Sequence, residues 1–371
     1  MLTLTLTLAA LTAAPTPTVA DTVYLKPDFV HTPEGVAENV VVVVKDGKIS
    51  ALSTADAVPA SAKVLELEGH LTAGMIALSD QSGMDAREAQ DTTRMVMDGA
   101  DLAHAFTRDH SDYDRLAAEG ITSVLLTPPS GTLSGGRTAL VKPGGAIVAP
   151  RAHLHLSFSS SLFTRGRKPT SYAGAIQMLE ERMAEPKGGF ALLKEGKVSA
   201  LLQADTRAEA TRAAAFAKRH GLAGLIYGCA RVGDLAATLK DSGLGVALPA
   251  WNPGGNERIQ ASAQALHKAG VPFGFALDAP GRHPASLRMA AAACVRAGLD
   301  TNAAWSALTS SPGSLSGGLG RVGAIAAGFD ADLVLWTGHP MELTSAVERV
   351  WIDGETVHEA DLPEAEEGDD Q

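Results

Sequence analysis

Short runs of β-branched and apolar residues at both ends of the chain enclose a longer stretch in which strands and helices alternate. Within the two end groups, an Asp-Gly pair separates apolar runs at residues 46–47 and again at residues 353–354. Such a pair between two apolar runs is a strong signal of a two-residue hairpin turn. Neither group is large enough to bury both of its faces alone. We therefore expect residues 21–70 and 321–360 to pair into one composite β-sandwich.

Residues 71–320 show the alternation that predicts βα units. Eight apolar runs of strand length are separated by segments with apolar residues at helical spacing, a pattern typical of a parallel sheet with helical crossovers. The predicted strands are Ile76–Asp80, Ile121–Thr127, Thr138–Lys142, Ala152–Phe158, Val198–Ala204, Gly224–Gly228, Gly245–Ala250 and Pro272–Asp278. The predicted helices are Asp101–Glu119, Ala173–Ala184, Arg207–His220, Val232–Ser242, Ile259–Ala269 and Pro284–Ala297.

Eight such units predict a (β/α)8 barrel of the TIM type. The connection between the third and fourth strands contains Gly144, Gly145 and Pro150, which also allow a hairpin in place of a helical crossover. A chain of 371 residues is long enough for a barrel of about 250 residues and a smaller second domain.

The two termini have compositions of their own. Residues 1–20 form an apolar Leu/Thr/Ala segment that ends in small residues, so we expect a signal peptide and an exported protein, periplasmic or extracellular. The basic region that usually begins such a signal is missing. Residues 361–371 are acidic and almost free of apolar side chains, which predicts a solvated, disordered tail.

Composition and charge argue against some classes of binding partner. The net charge of −11 argues against a nucleic acid or an anionic membrane surface. No later segment reaches the roughly 18 apolar residues of a membrane span. Two cysteines do not make a disulfide framework, and we expect Cys229 and Cys294 to be buried free thiols.

Two passages carry a resemblance to a known family. Residues 68–83, E-G-H-L-T-A-G-M-I-A-L-S-D-Q-S-G, resemble the segment that leads into the first barrel strand of the amidohydrolase superfamily. Residues 320–336, G-R-V-G-A-I-A-A-G-F-D-A-D-L-V-L-W, are similar to the return of that superfamily from its last helix into its β-sandwich. Residues 287–292, L-R-M-A-A-A, and residues 297–299, A-G-L, resemble the helix after strand eight in imidazolonepropionase-like members. The resemblance implies a barrel with a sandwich, and it reports fold more than activity.

In that superfamily a metal is held by two histidines on strand one, a lysine or glutamate on strand four, single histidines on strands five and six, and an aspartate on strand eight. The resemblance places poor ligands at four of these positions, namely Ser79, Gln81, Gln203 and Gly228. It keeps only Asp278, and one ligand does not hold a metal. We therefore expect no cofactor. The predicted function is that of a pseudoenzyme, which either pairs with an active paralogue or binds a small molecule. The expected assembly is a homo-oligomer, or a hetero-oligomer with an amidohydrolase paralogue.

Several polar residues are expected to face the same cleft. Asp278 is the candidate catalytic group, as a general base; alternatively it has a structural role, in which it pairs with Arg282 or caps the next helix. The candidate ligand-binding residues are Ser79, Gln81, Gln203, Arg137, Asn252 and Arg282.

A second interpretation stays open. His153 and His155 would share one face of the fourth strand, as a metal-binding pair requires. With Asp278 they could hold one zinc-like divalent ion, or Asp278 alone could act as a base. The protein would then be a hydrolase of carbon–nitrogen bonds in cyclic or other non-peptide amides, or in small peptides. The sequence leaves open whether the chain is an enzyme.

Overall fold

The computed structural model describes residues 22–361, apart from residues 85–88, 90, 92, 164–165, 254 and 279–280. The predicted signal peptide and all but the first residue of the predicted acidic tail lie outside the described residues. The strands are β1 Val23–Thr32, β2 Gly35–Glu38, β3 Val40–Lys45, β4 Lys48–Thr54, β5 Val64–Ala73, β6 Met75–Asp80, β7 Ile121–Leu126, β8 Gly136–Arg137, β9 Ala139–Val141, β10 Ile147–Ala149, β11 His153–Ser157, β12 Ser199–Gln203, β13 Gly224–Tyr227, β14 Leu244–Leu248, β15 Phe273–Phe275, β16 Leu333–Trp336, β17 Val347–Ile352 and β18 Glu355–Glu359. The α-helices are α1 Asp112–Ala117, α2 Tyr172–Ala184, α3 Gly188–Lys194, α4 Arg207–His220, α5 Ala236–Ser242, α6 Glu257–Ala269, α7 Ser286–Arg296, α8 Thr301–Ser306 and α9 Ser310–Leu315.

Strands from both ends of the chain form one eight-stranded sheet. Its order is β18-β17-β16-β5-β1-β3-β4, with β2 added to β1. The antiparallel pairing of β16 with β5 joins the two ends directly. At the predicted turns, both residues of each Asp-Gly pair at 46–47 and 353–354 have positive φ, as the two-residue hairpin requires. The turn predictions are confirmed.

The middle of the chain forms two further sheets. One is four-stranded with the order β10-β9-β7-β6, and the other is six-stranded with the order β15-β14-β13-β12-β11-β8. In the second sheet, β11 to β15 are all parallel. The fold is thus a mixed α/β fold.

The predicted third strand does not join the parallel set. β9 runs antiparallel to β7 and returns through a hairpin to β10, with φ of 87° at Gly144 and 113° at Gly145. Glycine tolerates these angles, so the chain reverses within a few residues and no helical crossover is formed. The prediction of a parallel third strand is wrong, and the hairpin alternative is confirmed.

Helix predictions succeed where the amphipathic pattern is continuous. α4 begins and ends where predicted, and a left-handed glycine follows α4, α5 and α6. The predicted helix over 101–119 is wrong, because only a 3-10 turn at Leu102–His104 and the short α1 form there. Residues 107–112 between them are polar and offer no apolar face to bury.

The parallel strands bury both faces. One face packs against the helices in the largest apolar cluster, while the other contributes to a smaller cluster that contains Leu78, Leu125, Leu201, Leu225 and Tyr227. Both cysteines are buried and unpaired, as predicted. Within the part of the chain that the structure describes, no helix combines the length and apolar character needed to cross a membrane.

A buried ion network joins the end sheet to Lys142, the residue that directly follows β9. The Lys142 Nζ atom lies 2.9 Å from carboxylate oxygens of Asp330 and Asp332 and 2.6 Å from Asp353 Oδ1. Lys48 and Arg321 also bind Asp330, so three cations face three carboxylates. Burial raises the pKa of Asp332 to about 6, against the attraction of Lys142.

Candidate functional site

Polar side chains gather at the carboxyl ends of the parallel strands, where ligands bind in sheets of this kind. Register places Ser157, Gln203 and Tyr227 side by side on β11, β12 and β13. The ends of β6 and β15 also meet, because the N–H groups of Leu277 and Asp278 lie 3.2 and 3.3 Å from the carbonyl oxygen of Ser79. This group of residues defines the candidate site.

His155 and Tyr227 form the floor of the site. The Gly135 N–H donates to His155 Nδ1 at 3.0 Å, so Nδ1 must carry a lone pair and the neutral ring must be protonated at Nε2. The Nε2–H then donates to the Tyr227 hydroxyl oxygen at 2.9 Å. Consequently the hydroxyl proton of Tyr227 is not used by His155 and can be donated to another acceptor.

Burial fixes the protonation states of this pair. It lowers the pKa of His155 to about 4, partly offset by the neighbouring Gln203 amide. It also raises the pKa of Tyr227 well above its usual value, and the negative charges of Asp205 and Asp278 act in the same direction. Both groups are therefore neutral near pH 7.

Gln203 contributes an unused acceptor. The residue is only 5% exposed, and its Oε1 atom, although near enough to the His155 ring to raise the pKa of that ring, makes no hydrogen bond of good geometry among the described residues. A buried polar atom of this kind calls for an explanation. A donor supplied by a bound molecule would satisfy it.

The ring of His153 forms its hydrogen bonds with groups outside the candidate site. Its Nε2 lies 2.8 Å from the Leu315 carbonyl oxygen and therefore donates, so Nδ1 accepts from the Thr138 hydroxyl at 3.0 Å. Burial lowers the pKa of His153 to about 4. Each of the four ring nitrogens of His153 and His155 thus has a protein partner. The alternative metal set of these two histidines with Asp278 is not assembled.

Ser79 and Asp278 lie next to each other at the edge of the candidate site. Both have positive φ, 73° and 55°, at the meeting point of β6 and β15. The Ser79 hydroxyl lies 3.1 Å from that of Thr127. Burial raises the pKa of Asp278, against the charge of Arg282 and an N–H bond from Ala250. The Asp278 residue as a whole is exposed.

The glycine at position 228 closes the site beside β13. Its φ is 98°, and a Cβ atom there would lie 2.8 Å from Asp205 Oδ1 and 3.1 Å from the Ala204 carbonyl oxygen. Asp205 itself accepts a short hydrogen bond from the Ser159 hydroxyl. The side chains of Thr206 and Glu209 form the capping box of α4, so the Asp205 carboxylate does not cap this helix.

The remaining candidates are more scattered. Arg137 reaches away from the strand ends, with Nη2 at 3.0 Å from the Gly99 carbonyl oxygen and 3.8 Å from Asp101 Oδ2. The backbone of Asn252 binds the Asn256 side chain in the loop before α6. Gln81 is half-buried, and its carbonyl accepts from the Met84 N–H. Of the predicted ligand-binding residues, Ser79, Gln203 and Arg282 lie nearest Asp278 or Tyr227 in the fold.

Tyr227, Gly135 and Ser159 were missed by sequence reasoning. Tyr227 directly precedes Gly228 at the end of a predicted strand, so its register with Gln203 was a usable signal. The Gly135 and Ser159 contacts depend on where loops fall, and no spacing in the sequence indicates them.

The Tyr227–His155 bond gives a first prediction. Tyr227→Phe should lower the free energy of unfolding by about 1–3 kcal/mol, because the buried His155 Nε2–H loses its acceptor. Urea unfolding measures this, with Tyr24→Phe as the control on a half-buried tyrosine of β1. Equal losses in the two variants would contradict the assigned hydrogen bond.

Comparisons with known proteins agree with this geometry. Residues 200–357 match the model of the Amidohydrolase family. The chain is 33% identical over 151 residues to an imidazolonepropionase of Acidiphilium cryptum, covering 40% of this chain and 38% of that protein. It is 33% identical over 94 residues to Amidohydrolase tasK of Hapsidospora irregularis, covering 25% of this chain and 10% of that protein. The matches therefore span well under half the length of these curated relatives.

Solved structures resemble the chain over most of its length. An amidohydrolase from Thermotoga maritima MSB8 aligns with a TM-score of 0.79 at 21% identity, covering 91% of this chain and 100% of that one. A prolidase complexed with N-methylphosphonate-L-proline aligns with a TM-score of 0.60 at 16% identity, covering 91% and 100%. At these identities the likeness concerns the fold.

The carboxyl-terminal part of the chain thus matches the Amidohydrolase family, and the fold of the chain is similar to that of solved amidohydrolases. Its sequence is similar to that of imidazolonepropionase. The side chains at the ligand positions do not fit a catalytic metal, since they are Ser79, Gln81, Gln203 and Gly228 with only Asp278 in addition. Among the described residues, no group of three or more His, Cys, Asp or Glu side chains is arranged to hold a metal ion.

Proposed function

We propose that this chain is a metal-free amidohydrolase-superfamily protein that acts as a pseudoenzyme, by binding a small neutral molecule or by pairing with an active paralogue. The observation that carries the proposal is Gly228. A histidine at this sixth-strand position would adopt a strained backbone angle, and its Cβ would crowd the Asp205 carboxylate.

The remodelling extends beyond one ligand. Where a metal-binding site would need free imidazole nitrogens, both rings on β11 are already bonded within the protein. Ser79 and Gln203 are neutral groups at the level of the missing ligands. Together these features support a site rebuilt around hydrogen bonds.

Two groups support the binding of a small molecule. Tyr227 retains a hydroxyl proton to donate, and the buried Gln203 Oε1 makes no hydrogen bond of good geometry within the described part of the chain. A neutral ligand with an acceptor next to a donor would satisfy both without introducing a charge into a buried site. Pairing with a paralogue is compatible with such a site, and copurification with an amidohydrolase-like chain would support that role.

The finer architecture belongs to the same proposal. We interpret the two inner sheets as halves of a (β/α)8-type barrel with an antiparallel third strand, and the end sheet as a composite sandwich domain. Two contacts between the inner sheets support this. Ser79 accepts N–H bonds beside β15 at one edge, and Thr138 exchanges backbone bonds with residues 152 and 153 at the other.

Metal content tests the proposal. Untagged protein dialysed against zinc and then against buffer should retain far less than one ion per chain, and zinc should not raise its melting temperature. Asp278→Asn is the matched variant, since this exposed carboxylate can be neutralised without disturbing the core. About one zinc per chain, reduced in Asp278→Asn, would overturn the proposal.

A second candidate function rests on Asp278. Its raised pKa and its exposure at the rim would suit a general base, so the chain could hydrolyse carbon–nitrogen bonds without a metal. Turnover of cyclic amides or dipeptides that is abolished in Asp278→Asn would favour this function. Turnover that is unchanged in the variant would point to a contaminating hydrolase.

A further inference from the structure

Three histidines from separate segments meet at the junction between the end sheet and α8. The His31 Nε2 on β1 lies 3.0 Å from the His70 Nδ1 on β5. The ring of His339, which follows β16, has its centroid 5.3 Å from that of His31 and 5.7 Å from that of His70. We call His31, His70 and His339 the histidine junction.

Aromatic packing surrounds the histidine junction. Phe29 stacks on His70 with ring centroids 4.4 Å apart, and Trp305 of α8 lies 6.3 Å from His31. His31 and Trp305 also line a cavity of about 180 Å³ between the β1–β2 turn, α8 and residues 323–325. His31 therefore belongs both to the histidine junction and to the wall of this cavity.

The hydrogen bond between His31 and His70 constrains their charge. One nitrogen must donate and the other must accept, so the bond accommodates neutral rings or a single proton added to the pair. Two imidazolium rings would place N–H against N–H, with a third histidine close by. Repulsion would then replace the hydrogen bond.

Few opposite charges face the junction. The nearest carboxylates are Asp28 on β1 and Glu342 after β16, which act on His70. Asp28 is already engaged by the Gly69 N–H at 2.8 Å. Glu34 lies at the cavity rim, and Arg288 of α7 adds a positive charge by binding the carbonyl oxygens of Pro340 and Glu342.

We infer that the histidine junction is an acid-sensitive contact between the end sheet and α8. When the junction takes up more than one proton, the contact of β1 and β5 with α8 weakens and the adjoining cavity opens. This inference is independent of the function proposed for the strand ends.

The direction of the pH effect follows from the pKa shifts. Burial, together with His339 and His70, lowers the pKa of His31 from 6.5 to about 4, and burial and His339 lower that of His70. A histidine with a lowered pKa in the folded state binds its proton more readily when unfolded. The neutral His31 ring therefore makes its whole contribution to the stability of the fold above pH 6.5. This contribution is lost as the pH falls from 6.5 towards 4.

Hydrogen exchange on the full chain tests the inference locally. After correction for intrinsic rates, protection of the segments 28–36 and 301–310 should fall by about tenfold between pH 7 and pH 5. Protection of β12 and β13 should not change over this range. A uniform loss, or no loss in 28–36, would overturn the inference.

Variants separate titration from packing. His70→Gln keeps an acceptor for His31 but cannot be protonated, so it should lose less protection between pH 7 and pH 5 than the wild type does. His339→Gln removes a neighbour that lowers the pKa of both His31 and His70 and should reduce the pH dependence, while His267→Gln on the exposed face of α6 should behave as the wild type. The same acid response in His70→Gln as in the wild type would contradict the inference. A zinc-dependent rise in melting temperature at pH 7.5 that His70→Gln abolishes would reassign the junction as a metal site.

Discussion

Replacing Lys142 with methionine is expected to lower the free energy of unfolding by about 3–5 kcal/mol. The Lys142 side chain is fully buried and lies within 3 Å of three carboxylates, Asp330, Asp332 and Asp353. Methionine preserves most of the volume but removes the charge, which leaves buried carboxylates without their partner. Removal of one partner is costly because the desolvation of the others is no longer compensated.

Lys48→Met is the matched control, and urea unfolding is the measurement. The Lys48 side chain binds the same Asp330 but is 51% exposed, so its loss should cost about 1 kcal/mol or less. The ratio between the two variants therefore tests whether burial sets the energy. Equal losses of unfolding free energy in Lys142→Met and Lys48→Met would show that burial of the network does not strengthen the attachment of the end sheet.

Gly228→His is expected to destabilise the protein by more than about 2 kcal/mol without creating a metal site. The side chain must adopt a φ of 98°, and its Cβ must approach Asp205 Oδ1 within 2.8 Å unless Asp205 moves. Asp205 is held by Ser159, so the movement disturbs a second hydrogen bond. Strain and crowding act in the same direction.

Two glycine-to-alanine variants separate the backbone strain in Gly228→His from the crowding against Asp205. Gly243→Ala has a φ of 68° and open space around its Cβ, so it reports backbone strain alone, about 1 kcal/mol or more. Gly228→Ala adds the close approach to Asp205. Urea unfolding should rank Gly243→Ala, Gly228→Ala and Gly228→His in order of increasing cost. A stable Gly228→His that binds about one zinc would refute the argument from geometry.

The candidate site was predicted in part from the sequence. The resemblance located Ser79, Gln203 and Asp278 at strand ends, because strand position can be read from apolar runs and flanking glycines. It could not indicate that the ring nitrogens of His153 and His155 are all engaged. Those bonds come from Gly135, Thr138, Tyr227 and Leu315, and the last of these lies 162 residues from His153.

Local interactions explain the elements that the sequence determined by itself. The hairpins at 46–47 and 353–354, the helix Arg207–His220 and its glycine cap depend on residues only a few positions apart. Their propensities and side-chain periodicity are therefore visible in a single sequence. The tertiary structure alone decided the direction of β9, the placement of Arg137, the histidine junction and the ion network around Lys142. These features join groups far apart in the chain, and their energies depend on burial and distance that the order of residues does not encode locally.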